Sequence, residues 1–222
     1  MSDIKKENYQ LIETLIGVFT IEKGKIKILL VKKSKEPYKG YWQLPGSLVN
    51  NNETLEDNVS NVVIDKLGIP SLYVEQCYTF GEINRNPDNK VVAVSYIGLI
   101  NSITLKLRQQ ITDEELEWFD IDSIPKTAYD HDKIIEKLIS NFKSKIVNSN
   151  ILKILFPSDF TLPELQKIYE QVLNKSLDRR NFRKKLMNLG YIEDTGDVYE
   201  GATGRPAKLY RFKEEIEEMD IF

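Results

Sequence analysis

Residues 161–189 read TLPELQKIYEQVLNKSLDRRNFRKKLMNL, and this stretch decides the fold of the C-terminal part of the chain. Thr161 and Glu164 have the spacing of a capping box, with a proline in the first turn, and they predict a helix that continues to Leu173. A short apolar helix is predicted just upstream, over residues 151–156. The capped helix is therefore the middle member of a helical group.

A second capped helix follows after only a few residues. Residues 174–177 indicate a turn, Asp178 is suited to cap a helix, and Gly190 is suited to end it. Downstream, the runs 191–194 and 208–212 predict two strands around a loop rich in glycine. The order helix, helix, turn, helix, hairpin is that of a winged helix-turn-helix.

The last helix of this group carries a strongly basic surface. Phe182, Leu186 and Leu189 share one face at helical spacing and are expected to be buried. The rest of its surface carries Arg179, Arg180, Asn181, Arg183, Lys184 and Lys185. Arginine and asparagine read base edges, whereas lysine mainly holds phosphate. A basic run alone is usually a solvated face, but this one sits in a helix-turn-helix and is followed by Arg205 and Lys208 in the wing. We therefore predict that these residues bind double-stranded DNA.

The charge distribution supports this prediction although the whole chain has a net charge of −3. Residues 145–213 carry 13 Lys and Arg against 8 Asp and Glu. The segment 214–222 carries five acids and no base, and residues 1–144 carry 18 bases against 21 acids. A basic module between acidic segments is a local electrostatic footprint for phosphate.

The N-terminal part has the pattern of a mixed α/β domain. Its predicted elements are a hairpin over residues 11–33, a helix over 53–67 capped by Asn52 or Thr54, strands over 72–80 and 90–100, and a closing helix over 130–146. We place the domain boundary between residues 147 and 148. No apolar run approaches the roughly 18 to 20 residues that span a bilayer, the first ten residues do not resemble a signal peptide, and Cys77 is the single cysteine. We therefore expect a cytoplasmic protein without a membrane segment, disulfide or metal site.

Residues 40–47, GYWQLPGS, resemble the Nudix motif G-x-W-x-L-P-G-G. Aligned without gaps, Ser47 takes the glycine of the following Nudix box and Glu53 takes its first glutamate. Asn61 replaces the arginine, Val62 the next glutamate, and Lys66 the last one. Nudix hydrolysis needs divalent metal held by these carboxylates. We therefore predict no catalytic residues, no metal and no cofactor.

Both halves together resemble the Nudix-related transcriptional regulators (NrtR-like) over nearly the whole chain. The most specific pieces are Tyr78–Tyr96, with its YTFGE and NRNP segments, Tyr129-Asp130-His131, residues 178–184 (DRRNFRK) and residues 204–210 (GRPAKLY). The resemblance implies a Nudix-like mixed-sheet α/β/α sandwich followed by a small winged helix-turn-helix. It also implies a homodimeric repressor of NAD, nucleotide-cofactor or sugar metabolism genes that leaves its operator when ADP-ribose, a nucleotide or a pentose binds.

Four residues are candidates for effector binding. Arg85 lies on a loop rich in Pro and Asn, and a guanidinium grips phosphate or sugar hydroxyls. Lys33 and Trp42 flank the same expected cleft by analogy with Nudix folds. His131, the single histidine, is more often a hydrogen-bonded structural residue than a catalyst. The rival interpretation is a Nudix pyrophosphohydrolase acting on ADP-ribose or a related nucleoside diphosphate, and the Nudix box is the feature that separates the two.

Overall fold

The computed structural model describes residues 10–69, 72–87, 89–101, 115–156, 159–199 and 206–213. Within these ranges, the N-terminal domain contains one mixed sheet and two helices. The strands are β1 Leu11–Glu22, β2 Lys25–Lys32, β3 Trp42–Gln43, β4 Gly46–Leu48, β5 Tyr73–Phe80, β6 Val91–Leu99 and β7 Leu116–Asp120. The helices are α1 Leu55–Asn61, which continues as a π-helix over Val62–Lys66, and α2 His131–Asn148.

The sheet has the order β3-β2-β1-β6-β5, with β4 paired to β1 and β7 paired to β2. Strand β1 runs parallel to β6 and antiparallel to β2, which makes the sheet mixed. Alternate residues of β1 point to opposite faces. Ile16 and Val18 pack with the α1 side, and Leu15 and Phe19 pack with the α2 side. The predicted α/β/α sandwich is confirmed.

The closing helix α2 approaches the sheet closely at a glycine. A Cβ atom on Gly17 would lie 2.9 Å from the Leu138 side chain, which is closer than packed carbon atoms tolerate. The strand therefore needs glycine where the helix crosses it. Phe19 and Phe142 stack beside this point, with ring centroids 4.7 Å apart.

The C-terminal module is the predicted winged helix. It contains a 3-10 helix Ile151–Ile154, β8 Phe160–Thr161, α3 Leu162–Leu173, α4 Arg179–Leu189, β9 Ile192–Tyr199 and β10 Ala207–Phe212, and its sheet has the order β8-β10-β9. The capping box of Thr161 and Glu164 is present, and the Asp178 side chain accepts a hydrogen bond from the Asn181 backbone. Gly190 ends α4 with a φ of 73°.

Several elements differ from expectation. The first helix has Thr54 as its cap, which is one of the two predicted caps, but it begins at Leu55 and changes to π-helix from Val62. Strand β7, which contains Trp118 and Phe119, was not predicted, and β9 extends beyond the predicted residue 194 to Tyr199. Short strands at residues 42–43 and 46–48 were also not predicted. These strands pair with residues distant in sequence, so local pattern carries little information about them.

The two modules share one hydrophobic core. Phe142 and Ile146 of α2 belong to the same buried cluster as Ile151, Leu152 and Leu165. The winged helix is therefore packed against the end of the sandwich. No helix in the described ranges is long and apolar enough to cross a membrane.

Candidate functional site

A cleft of about 210 Å³ opens in the N-terminal domain, where β1 and β4 meet the loop before β6 and the start of α2. Its wall brings together three of the predicted effector residues, Lys33, Arg85 and His131. Gly46, Asn86 and Tyr129 also line it. Lys33, Arg85 and His131 reach the cleft from three separate parts of the chain, namely the end of β2, the loop before β6 and the start of α2.

The Arg85 guanidinium forms one wall of the cleft but is held by carboxylates. Its Nε and Nη2 donate to the two carboxylate oxygens of Asp130 at 3.1 Å, and Nη1 donates to Glu13 Oε1 at 2.7 Å. The Arg85 side chain is only 2% exposed. Burial raises the pKa of Glu13, although the Arg85 partner acts in the opposite direction. Arg85 therefore ties β1 and the start of α2 to the loop that it belongs to.

His131 is buried beside this brace as a neutral ring. The Leu44 backbone N–H donates to His131 Nδ1 at 2.9 Å. Burial, together with the nearby charges of Arg85 and Lys33, lowers the pKa of His131 to about 3. A neutral imidazole that accepts at Nδ1 carries its proton on Nε2. His131 is thus a hydrogen-bond donor at the cleft wall and not a proton carrier near neutral pH.

Lys33 follows β2 and places its ammonium 5.4 Å from the ring centre of Tyr129. Among the described residues no carboxylate lies within ion-pair distance of this ammonium. Trp42 does not line the cleft. Its ring packs edge-on against Phe119 with centroids 4.8 Å apart, and the Lys32 ammonium lies over it.

The residues aligned with the Nudix box form a hydrogen-bond network. Glu53 Oε1 accepts from the Asn50 backbone at 2.7 Å and from Asn58 Nδ2 at 2.7 Å, and Glu53 Oε2 accepts from Asn61 Nδ2 at 3.2 Å. The Asn50 backbone contact and the other amide donors lower the pKa of Glu53. Lys66 Nζ donates to the Gly46 carbonyl at 2.6 Å. The polar groups of the box therefore contact each other and the cleft loop.

The basic helix α4 turns its predicted DNA-binding side chains to solvent. Phe182 is 3% exposed and Leu186 is fully buried, and the Phe182 ring lies 5.7 Å from that of Tyr169. The side chains on the opposite surface are exposed, namely Arg179, Arg180, Asn181, Arg183, Lys184 and Lys185. The buried pair fixes the rotation of α4, so the basic residues face outward together.

The wing extends the same surface. A groove of about 260 Å³ between α3, α4 and β10 is lined by Arg179, Arg183 and Lys208, among others. The Lys208 ammonium contacts the Asp194 carboxylate across the hairpin at 2.7 Å, and its side chain is 58% exposed. Arg205, which the sequence also indicates, lies outside the described residues. Helix α4 and strand β10 therefore place basic side chains around the same groove.

The residues that hold Arg85 and Gly46 in place were not predicted from the sequence. Glu13 is the one charged residue within the run LIETLIGVF, and a carboxylate at that point of a buried strand signals an internal partner. Asp130 stands at the N-cap of α2 without a side-chain capping bond, because its carboxylate binds Arg85. The contact from Lys66 to Gly46 had no local signal.

Both halves of the chain match known domain families. Residues 14–138 match the NUDIX domain family, and residues 154–212 match the NrtR DNA-binding winged helix domain. The chain is similar to the ADPR responsive transcriptional repressor NtrR of Acinetobacter baylyi, with 34% identity over 202 residues that cover 89% of this chain and 80% of the relative.

A second relative and a solved structure extend these similarities. The ADP-ribose pyrophosphatase of Methanocaldococcus jannaschii is 31% identical over 134 residues, which cover 60% of this chain and 78% of that protein. The crystal structure of Shewanella oneidensis NrtR complexed with a 27mer DNA superposes with a TM-score of 0.76 and 29% identity, covering 91% of this chain and 93% of the other.

Proposed function

The chain belongs to the NrtR-like family of Nudix-related transcriptional regulators, and we propose that it is a repressor released from its operator by ADP-ribose. The observation that carries this function is the basic surface of α4 and the wing, anchored from behind by Phe182 and Leu186. We assign base reading to Arg180 and Asn181 and phosphate contacts to the other basic residues of α4, together with Arg205 and Lys208.

The effector site in this proposal is the cleft around Lys33 and His131. ADP-ribose carries a diphosphate and two riboses, which need cations and hydrogen-bond donors. Lys33 supplies an ammonium without a carboxylate partner among the described residues, and His131 supplies the Nε2–H of a neutral ring. Arg85 acts as a brace that shapes the cleft, and Trp42 is left out because its ring packs against Phe119.

The repressor is proposed to act as a homodimer in the cytoplasm. A two-fold dimer reads two half-sites separated by about one helical turn of DNA or a multiple of it. The sensor module occupies residues 1–147 and the DNA-binding module residues 148–222 in this scheme. ADP-ribose must prefer one arrangement of the dimer, and by linkage it then binds the DNA complex more weakly by the same factor.

Fluorescence anisotropy with a duplex that the pure protein selects from a random library tests the function. We expect ADP-ribose to lower the affinity for that duplex, whereas ribose and AMP leave it unchanged. Failure to bind any selected duplex more tightly than random DNA would remove the regulatory assignment.

The second candidate is hydrolysis of ADP-ribose, favoured by the match to the NUDIX family and by the pyrophosphatase relative. Against it, Val62 is buried and apolar, and Lys66 brings a positive charge where the box requires a carboxylate. We propose that the chain is not a hydrolase. Magnesium-dependent release of AMP from ADP-ribose by the pure protein, abolished by Glu53→Gln, would reverse this assignment.

A further inference from the structure

Lys66 places a positive charge against the backbone of a segment that lines the effector cleft. It stands at the end of the π-helix, and its ammonium donates to the carbonyl of Gly46 at 2.6 Å. Gly46 itself lines the cleft. The Lys66 ammonium is therefore bound to the backbone of a residue that forms part of the cleft wall.

The Lys66 ammonium can still donate hydrogen bonds to an anion. A lysine ammonium has three donors, and Gly46 accepts only one of them. In the part of the chain that the structure describes, no carboxylate lies within 4.0 Å of Lys66 Nζ. The side chain is half-buried, and a charge partly withdrawn from water attracts an anion more strongly than an exposed one does.

The Nudix family implies a divalent cation at this place, and the residues present do not fit one. Magnesium needs several oxygen ligands in octahedral geometry. The Glu53 carboxylate is engaged by Asn50, Asn58 and Asn61, and the Gly46 carbonyl accepts from Lys66. A cation at this carbonyl would meet the Lys66 ammonium at short range, and like charges repel.

We propose that the Lys66 ammonium takes the place of the divalent cation and contacts the diphosphate of the effector, with Lys33 approaching the same cleft from the end of β2. The sensor therefore binds its effector without metal. This inference rests on the proposed function, because ADP-ribose supplies the diphosphate. Metal-free binding also separates sensing from hydrolysis. A lysine ammonium, unlike a bound divalent cation, does not activate a water molecule to attack the diphosphate.

The test is isothermal titration of the full-length protein with ADP-ribose, in EDTA and again in magnesium. The parent protein is expected to bind equally in both. Lys66→Met is expected to weaken binding in EDTA by at least about tenfold, the loss of one charge-assisted hydrogen bond. Lys66→Glu should weaken it further in EDTA and recover part of the affinity in magnesium. Lys137→Glu, the same charge change on the outer face of α2, is the control and should bind like the parent.

Manganese binding, followed by electron paramagnetic resonance, provides a readout without effector. The parent protein should not bind one manganese ion per chain, whereas the Lys66→Glu variant should bind one. Retained affinity for the selected duplex shows that each variant is folded. Parent binding that requires magnesium overturns the inference but leaves the regulator intact. Absence of ADP-ribose binding in both buffers overturns the inference together with the effector assignment, while DNA binding still stands.

Discussion

The side-chain amide of Gln171 in α3 accepts a hydrogen bond from the backbone N–H of Ile26, at 2.8 Å between Ile26 N and Gln171 Oε1. The same amide donates from Nε2 to Asp122 Oδ2 at 2.8 Å and to Asp120 Oδ1 at 3.2 Å. Gln171 thus fastens the DNA-binding module to the start of β2. The other end of β2 leads directly to Lys33 in the cleft that we propose as the effector site, so one strand joins this cleft to the module that binds DNA.

Gln171→Ala should weaken the coupling between effector and operator. Its loss leaves the buried Ile26 N–H without a partner, which should lower the free energy of unfolding by about 1–3 kcal/mol. If β2 carries the signal, the ratio of operator affinities with and without ADP-ribose should fall toward one. Anisotropy and calorimetry on the same preparation measure both. A variant that is less stable yet keeps the full ratio would show that the signal takes another route.

Arg85→Met should lower the free energy of unfolding far more than the same substitution at an exposed arginine that also forms an ion pair. It leaves Glu13 and Asp130 without their buried cation, and breaking a buried pair typically costs about 3–5 kcal/mol. Arg211→Met removes an exposed ion pair with Asp159 and serves as the control, with an expected change much smaller than that of Arg85→Met because solvent screens the pair. Urea unfolding gives both values. Lost ADP-ribose affinity with unchanged stability would instead make Arg85 a direct effector contact.

The single histidine gives stability a specific dependence on pH. Because the pKa of His131 falls from 6.5 to about 3 on folding, the unfolded chain binds the proton more readily between these values. Stability from this group is complete above the unfolded pKa and decreases as the pH falls, by about 1.4 kcal/mol per pH unit below it.

His131→Asn isolates this contribution, because its Oδ1 accepts from the Leu44 N–H in place of Nδ1. The difference in unfolding free energy between parent and variant should shrink steadily from about pH 7 to about pH 5 as the unfolded histidine is protonated. Urea titrations across this range measure it. A difference independent of pH would mean that His131 titrates normally in the folded protein.

The sequence was most informative where interactions are local. The capping box of Thr161 and Glu164 and the Asp178 cap join residues three apart, so their spacing alone predicted where α3 and α4 begin. The basic face of α4 followed from the spacing of Phe182 and Leu186. Such patterns predict positions in space because a helix repeats every 3.6 residues, so residues three or four apart lie on the same face.

Contacts between distant residues were not predictable in this way. Arg85 was expected to face the effector, but its partners Glu13 and Asp130 stand 72 and 45 residues away along the chain. Trp42 was placed at the cleft by analogy, and its contact with Phe119 depends on β7 pairing with β2. Gln171 carries no sequence signal either, since its role arises only when the two modules pack together.

The last prediction concerns base reading by α4. Arg180→Ala and Asn181→Ala, in the first turn, should each lower affinity for the selected duplex by about 1–3 kcal/mol and affect random DNA much less. Lys184→Ala, one turn later, should weaken both duplexes alike and reduce the salt slope by roughly one for each phosphate that the lysine neutralises. The reason is that the start of a recognition helix meets base edges while the basic residues that follow meet the backbone.

Lys137→Ala on α2 is the control, because it removes an exposed positive charge from the sensor and should leave both affinities unchanged. In a two-fold dimer each substitution acts twice, so the effects on the selected duplex double when both half-sites are occupied. ADP-ribose affinity, measured without DNA, should be the same in all four variants, because the substituted side chains are exposed and lie away from the cleft. If Arg180→Ala and Asn181→Ala bind the selected duplex like the parent, α4 is not the reading helix, and base recognition must then come from the wing.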